Sequence, residues 1–329
     1  MGVFPCIRKN KLIHYQRPDN CIFGTVSTIF ILNELKSFLS DNSQELIDNL
    51  TQNAQKAFSQ YQNKDDLKTY NFWKTKPSQH FPNGYIFKHF KHFKLPDDID
   101  DTALIYLTQK NIPEENIWLK EKLRLHTNNS KIYSTWFGKN MPIEHDVCAL
   151  SNLMYWIFEN NLALNEYDEA SLLHLQNVIL TKEFIKNPFK AARHYANTPL
   201  IIYHYARLMG KFKIAQLEKC RKPLIEAALG LLQQEKGMNK VILLTSLLKL
   251  QNEDFNINCF PEINNIDKND NFYSFIGALL APYSQSVLQK LAPQALFRMN
   301  WKCPAHELAL LLEYQILRKQ KISAYNFLH

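Results

Sequence analysis

Apolar residues recur at helical spacing along most of this chain, separated by short polar connectors. In residues 43–61, Leu46, Leu50, Ala54, Ala57, Phe58 and Tyr61 fall three or four apart. That spacing gives a helix with one apolar and one wet face. Elsewhere the pattern is apolar nearly all round, as in Val241-Ile242-Leu243-Leu244 with Leu247-Leu248. A helix apolar on most faces packs on most faces. The pattern predicts helices at 22–39, 43–61, 98–110, 113–125, 144–160, 168–182, 198–209, 213–234, 239–250, 271–291 and 303–319. Residues 62–97, with Trp73, Pro77 and Phe81-Pro82-Asn83-Gly84-Tyr85, and the Asn- and Asp-rich residues 252–270 are predicted to be irregular loop segments. Neither has the composition of a flexible interdomain linker. The expectation is therefore one helical domain over 1–329, all-α, arranged as a double-layered α/α toroid in which an outer ring of helices wraps an inner one. A globin-like or solenoid arrangement fits a similar helix count, but no fixed-period repeat is visible.

Composition narrows the reading. Hydrophobic residues make up 46% of the 329, enough for a sizeable core. The 8 glycines are too few for a fold built on many tight turns. The formal net charge of +8 is spread out apart from one run. It forms no stripe or motif of the kind that binds nucleic acid, so no nucleic-acid partner is expected. The excess suits either solubility or a diphosphate-bearing substrate. Cys6, Cys21, Cys148, Cys220, Cys259 and Cys303 are far apart and form no Cys-x-x-Cys pair. They read as reduced thiols of a cytoplasmic protein, with no disulfide and no metal site. No apolar run reaches the ~20 residues of a membrane span, which leaves peripheral membrane contact open. The first apolar stretch, Ile22 to Leu32, follows polar and basic residues and makes a poor signal peptide.

The densest chemistry is Leu95-Pro96-Asp97-Asp98-Ile99-Asp100-Asp101-Thr102-Ala103-Leu104. Pro96 suits a helix entry, Asp97 or Asp98 can cap the helix, and the remaining carboxylates fall in its first turn. Two carboxylates about 6 Å apart repel by roughly 1 to 3 kcal/mol at effective dielectrics of about 60 to 20. The helix dipole returns only about 0.3 to 1 kcal/mol per charge. Four ionised groups are strained there unless one keeps its proton or a cation binds. A well-solvated acidic helix start is the plain alternative.

Asp98-Ile99-Asp100-Asp101-Thr102-Ala103 resembles the Asp-x-Asp-Asp-Thr-Ala motif of class II terpene cyclases. The resemblance implies a terpenoid cyclase/prenyltransferase-like toroid and an isoprenoid substrate. It implies that Asp100, the middle aspartate, protonates an alkene or epoxide to start ring closure, with Asp98 and Asp101 tuning and orienting it. The Gln-x-x-x-Gly-x-Trp repeats of larger triterpene cyclases are not found, and the chain has room for one helical domain where the family usually has two. Aromatic-rich turns similar to Lys131 to Gly138 occur in such cyclases, so Tyr133, Trp136 and Phe137 become candidate substrate contacts. Asn152, Trp156, Tyr195 and Tyr203 join them. A carbocation needs electron-rich faces, each contributing about 0.5 to 2 kcal/mol, and an enclosed site keeps water out. For any single aromatic, ordinary core packing is the stronger reading.

Other clusters are less specific. Arg193 suits a phosphate or a surface role. In Phe87 to Lys94, His89 and His92 share a helical face without a supporting ligand, and Lys88, Lys91 or Lys94 suits the Asp cluster or a diphosphate. Asp97-Asp98-x-x-Asp101 also fits the magnesium motif of class I prenyl-diphosphate enzymes, but their second metal motif is not found. No resident cofactor is expected; Mg²⁺ enters only with a diphosphate substrate. The leading expectation is proton-initiated cyclisation of an isoprenoid. The alternatives are a non-catalytic toroid that binds an isoprenoid or a protein partner, and a metal-dependent class I enzyme.

Overall fold

The computed structural model describes residues 2–80, 95–110, 112–138, 143–250, 260–263, 272–278, 280 and 285–328. In chain order the elements begin with strands β1 (Cys6–Asn10) and β2 (Tyr15–Asp19), then helices α1 (Phe23–Leu35) and α2 (Asp41–Phe58). Next come α3 (Ile99–Thr108), α4 (Pro113–Arg124), α5 (Val147–Glu159), α6 (Glu166–Leu180), α7 (Glu183–Lys186), α8 (Pro188–Ala191) and α9 (Thr198–Lys211). The order ends with α10 (Arg221–Leu232), α11 (Gly237–Leu250), β3 (Phe275–Ala278), α12 (Ser286–Leu291), β4 (Arg298–Lys302) and α13 (Pro304–Leu328).

The chain is mostly helical, and six helices form its centre. α1 packs on α3, α3 on α5, α5 on α9, α9 on α11, α11 on α13, and α13 returns to α1. The contact order therefore closes on itself. α1, α3, α5, α9 and α11 are buried on nearly every face, as their all-round apolar sequences require. α2, α6 and α10 bury one face each and lie against this set. One continuous cluster of buried apolar side chains runs from Cys6 to Tyr314.

Local chemistry sets the helix starts. Asp146 caps α5, accepting N–H bonds from Cys148 and Ala149 at 2.9 and 3.3 Å. Asn165 and Asp168 form a reciprocal capping box at α6. Asn197 caps α9, whose first turn carries Pro199.

The all-α expectation is corrected by a four-stranded antiparallel sheet in the order β2-β1-β4-β3. It sits where the two ends of the chain meet, with β4 leading into α13. Pro18 lies in β2, an edge strand, where a missing N–H is tolerated. Over the expected helix 271–291, the described residues form β3 and, after a break, the short α12. The expected helix 213–234 begins as a 3₁₀ turn, Ala215–Cys220, before α10. The expected loop 62–97 carries only isolated bridges in its described part. The expected loop 252–270 lies mostly outside the described residues, as do His89, His92, Lys88, Lys91, Lys94 and Cys259.

Three cysteines far apart in sequence come together. Cys6, Cys21 and Cys303 are buried beside Gly24 of α1, where an added Cβ would stand 2.6 Å from the Cys6 sulfur and 2.7 Å from that of Cys303. Among the described residues no helix is long and apolar enough to cross a membrane.

Candidate active site

The acidic motif is clamped at its backbone before its side chains act. The Asp98 N–H donates to Tyr70 O at 3.1 Å, Ile99 N–H to Thr135 O at 2.9 Å, and Phe137 N–H to Asp97 O at 3.0 Å. Thr102 fixes the other side, its hydroxyl accepting the Tyr70 N–H at 2.9 Å. The start of α3 is thus held between two loop segments, and all four aspartates are buried.

Each carboxyl has a separate environment. Asp98 is the cap, accepting the Asp101 N–H at 2.8 Å. Asp97 is no cap: it accepts from Asn63, from Thr69 at 2.6 Å and from Asn71 at 3.3 Å. Pro96 lies outside the helix, which begins at Ile99. Burial, then the charges of Asp100 and Asp97, raise the Asp98 carboxyl to about 8 against the hydrogen bonds from Asp101, and burial, then the charges of Asp98 and Asp100, hold Asp101 well above the usual carboxylate range. Asp101 Oδ1 has no hydrogen-bond partner, as suits a carboxyl that keeps a proton.

Asp100 is held from two other elements. Asn152 of α5 donates its Nδ2 to Oδ1 at 2.5 Å, and the Tyr195 hydroxyl donates to Oδ2. Burial raises the Asp100 pKa, while Tyr195, Asn152 and the nearby Arg207 cation pull it back. The Tyr195 ring meets His204 at 4.7 Å, Phe23 at 5.8 Å and Phe275 at 5.9 Å between centroids.

Arg207 of α9, which the sequence reading passed over, completes this group. Its Nη2 donates to the Asn152 Oδ1, so the amide nitrogen of Asn152 is turned to Asp100. The guanidinium carbon lies 4.7 Å from the Phe30 ring centroid, 5.6 Å from that of Tyr203 and 5.8 Å from that of Tyr155. Tyr203 donates to Glu313 at 2.7 Å, and Lys249 pairs with Glu313 at 2.9 Å. The centre of the six-helix set thus combines charged groups with aromatic faces.

A second buried group supports the Tyr195 segment. His194 Nε2 lies 2.9 Å from Glu144, and its backbone N–H donates to Asp146 Oδ2 at 2.9 Å. Burial alone pushes this imidazole down, but the Glu144 carboxylate raises its pKa to about 9. Burial raises the Asp146 carboxyl to about 6, with the His194 cation opposing. Asp146 therefore ties the start of α5 to the residue before Tyr195.

The remaining sequence candidates are distributed around this centre. Trp136 meets His194 edge-on at 5.2 Å. Phe137 packs against His126 at 5.4 Å, Tyr133 donates to Asp168 at 2.9 Å, and Trp156 donates to Asn116 at 3.2 Å. Arg193 pairs with Glu144 at 3.3 Å and is partly exposed. Of the predicted contacts, Asn152 and Tyr195 bond Asp100, while Tyr203 stands behind Arg207.

Within the Asp97-Asp98-x-x-Asp101 pattern, Asp97 is committed to three side-chain donors and Asp98 to the helix cap. No protein-family model, curated protein or solved structure matches the chain.

Proposed function

We propose that this protein is a class II terpene-cyclase-like enzyme on a double-layered α/α toroid, with Asp100 protonating an isoprenoid alkene or epoxide to start ring closure. The closed order of α1, α3, α5, α9, α11 and α13, with α2, α6 and α10 outside it, supports the toroid. The observation that carries the chemistry is the separation of roles within the motif. Asp98 accepts the Asp101 N–H at the cap, while Asp100 bonds Asn152 of α5 and Tyr195 in the segment before α9.

A proton donor must hold its proton in the loaded site and lose it to the substrate. Burial favours the protonated form of Asp100. Tyr195 and Asn152 stabilise the carboxylate left after transfer, since both can donate to it. The π pair of the alkene forms the new C–H bond as the Asp100 O–H bond breaks, leaving a carboxylate on Asp100 and a positive charge on the other alkene carbon. The ring of Tyr195, with those of Phe23 and Phe275 at 5.8 and 5.9 Å from it, offers electron-rich faces to that charge.

Arg207 favours a second reading, a toroid that binds a ligand without chemistry. Its guanidinium already occupies the faces of Phe30, Tyr155 and Tyr203 that would otherwise serve a carbocation. Incubation with prenyl diphosphates, prenyl alcohols and squalene-type hydrocarbons, followed by mass spectrometry, separates the two. Cyclised products support the enzyme; saturable binding with the ligand recovered unchanged supports the binding protein.

A further inference from the structure

Arg207 is a buried cation that, among the described residues, makes no direct ion pair; Asp100 acts on it across Asn152. Its side chain belongs to a residue only 7% exposed. An arginine keeps its charge at any ordinary pH, and a buried charge is costly unless paired. The carboxylates around it are already engaged: Glu313 with Lys249 at 2.9 Å, and Glu34 with Lys211 at 3.0 Å and with the Tyr155 hydroxyl at 2.5 Å.

The guanidinium donors are incompletely used. Nη2 donates to a neutral amide oxygen, Asn152 Oδ1, the Tyr203 hydroxyl also hydrogen-bonds the guanidinium, and Nε is buried with no acceptor. The Nε–Nη2 edge of an arginine suits two oxygens of one anion side by side. Here that edge carries one amide oxygen and one orphaned N–H.

The missing charge is tied to Asp100 through Asn152. While Asp100 is ionised it balances Arg207 across one amide. Once Asp100 holds a proton, as the proposed reaction requires, Arg207 has no counter-charge left. The other groups around Asp100 do not supply one: His194 is itself cationic and paired with Glu144, burial holds Asp98 and Asp101 toward their neutral forms, and Asp146 faces the His194 N–H. Tyr195 and Cys148 are neutral.

We propose that an anionic phosphate or diphosphate group binds at the Nε–Nη2 edge of Arg207, replacing Asp100 as its counter-charge so that Asp100 takes up a proton from solvent. The inference rests on Asp100 being the proton donor. It makes the acid ready only when the anion is in place, whether that anion is the substrate's own headgroup or a separate ion.

The test is calorimetric titration of the whole chain with inorganic diphosphate near pH 7, in two buffers of different ionisation enthalpy. The expected result is one site per chain with uptake of about one proton. Arg207→Gln should weaken binding by about tenfold or more. Arg207→Lys, which keeps the charge and loses the fork, should weaken it as well and guards against a misfolded glutamine variant. Asp100→Asn should bind diphosphate without proton uptake. A prenyl diphosphate that binds tighter than both its alcohol and inorganic diphosphate assigns the anion to the substrate. Tighter binding of the alcohol when inorganic diphosphate is present assigns it to a separate ion. No binding, equal binding by the Arg207 variants, or binding to the wild type without proton uptake overturns the proposal. Unimpaired isoprenoid turnover by Asp100→Asn, with diphosphate still bound at Arg207, refutes the proton-donor reading and leaves the anion site standing.

Discussion

Tyr195→Phe removes one hydroxyl and little else. The ring contacts to His204, Phe23 and Phe275 are retained, so the change isolates the bond to Asp100 Oδ2. A hydrogen bond to a charged group is worth about 1.5 to 3 kcal/mol. Here the bond favours the ionised carboxyl. At about 1.4 kcal/mol per pH unit, its loss should raise the Asp100 midpoint by about 1 to 2 units. Overall stability should fall by less than the full bond, because Asp100 can take a proton in place of the lost donor. The assay is infrared difference spectroscopy of the protonated-carboxyl carbonyl band across pH, with Asp100→Asn identifying the band. A midpoint that is unchanged or lower in Tyr195→Phe would refute the claim that this hydroxyl holds the carboxylate form.

Asp146→Ala removes the α5 cap and the acceptor of the His194 N–H. Cap loss of about 0.5 to 2 kcal/mol and a stranded buried N–H of about 1 to 3 kcal/mol should together appear in urea unfolding, and stability within error of wild type would count against the arrangement. His194 titrates at about 9 in the folded chain against 6.5 as a free side chain. Its folded pKa is raised, so its contribution is complete below about pH 6.5 and is lost as pH rises through about 9. Glu144→Gln should flatten that part of the stability profile, and an unchanged slope would exclude the pairing as its source. Gly24→Ala drives a methyl into the sulfurs of Cys6 and Cys303 and should cost about 1 to 3 kcal/mol. Cys6→Ala in the same background should recover part of the loss; no cost in Gly24→Ala would contradict the close approach.

The helical part of the fold was legible because its signals are local. The predicted spans 98–110, 113–125 and 239–250 lie within two residues of α3, α4 and α11. The sheet was hidden by its own chemistry. β1 buries Cys6, Arg8 and Asn10, so its inward face reads as polar and gives no period-two signal. β4 does alternate, with Met299 and Trp301 buried, but it is only five residues long. β3, Phe275–Ala278, falls inside the span 271–291 read as helix, because a short apolar run does not separate strand from helix.

The site was legible only where the motif and its neighbours carried it. Asp100, Asn152 and Tyr195 were named from sequence, and the structure joins them. Arg207 sits near the end of an apolar helix, where a basic residue is ordinary. Its signal was the company of Tyr203, His204 and Tyr205 on a helix otherwise apolar all round. The pairing of Glu144 and Asp146 with His194 spans about fifty residues, and no spacing rule reaches that far.

The central claim is tested most directly by turnover of Asp100→Asn and Asp97→Asn beside the wild type, each with and without a chelator. The account predicts isoprenoid cyclisation by the wild type and a loss in Asp100→Asn at or beyond the about 10²- to 10⁴-fold typical of general acids, because water is a poor donor to an alkene. Folded Asp97→Asn should keep most of its turnover, since Asp97 holds Asn63, Thr69 and Asn71 rather than substrate. Full activity in Asp100→Asn would contradict the account, as would loss in folded Asp97→Asn joined to strict magnesium dependence.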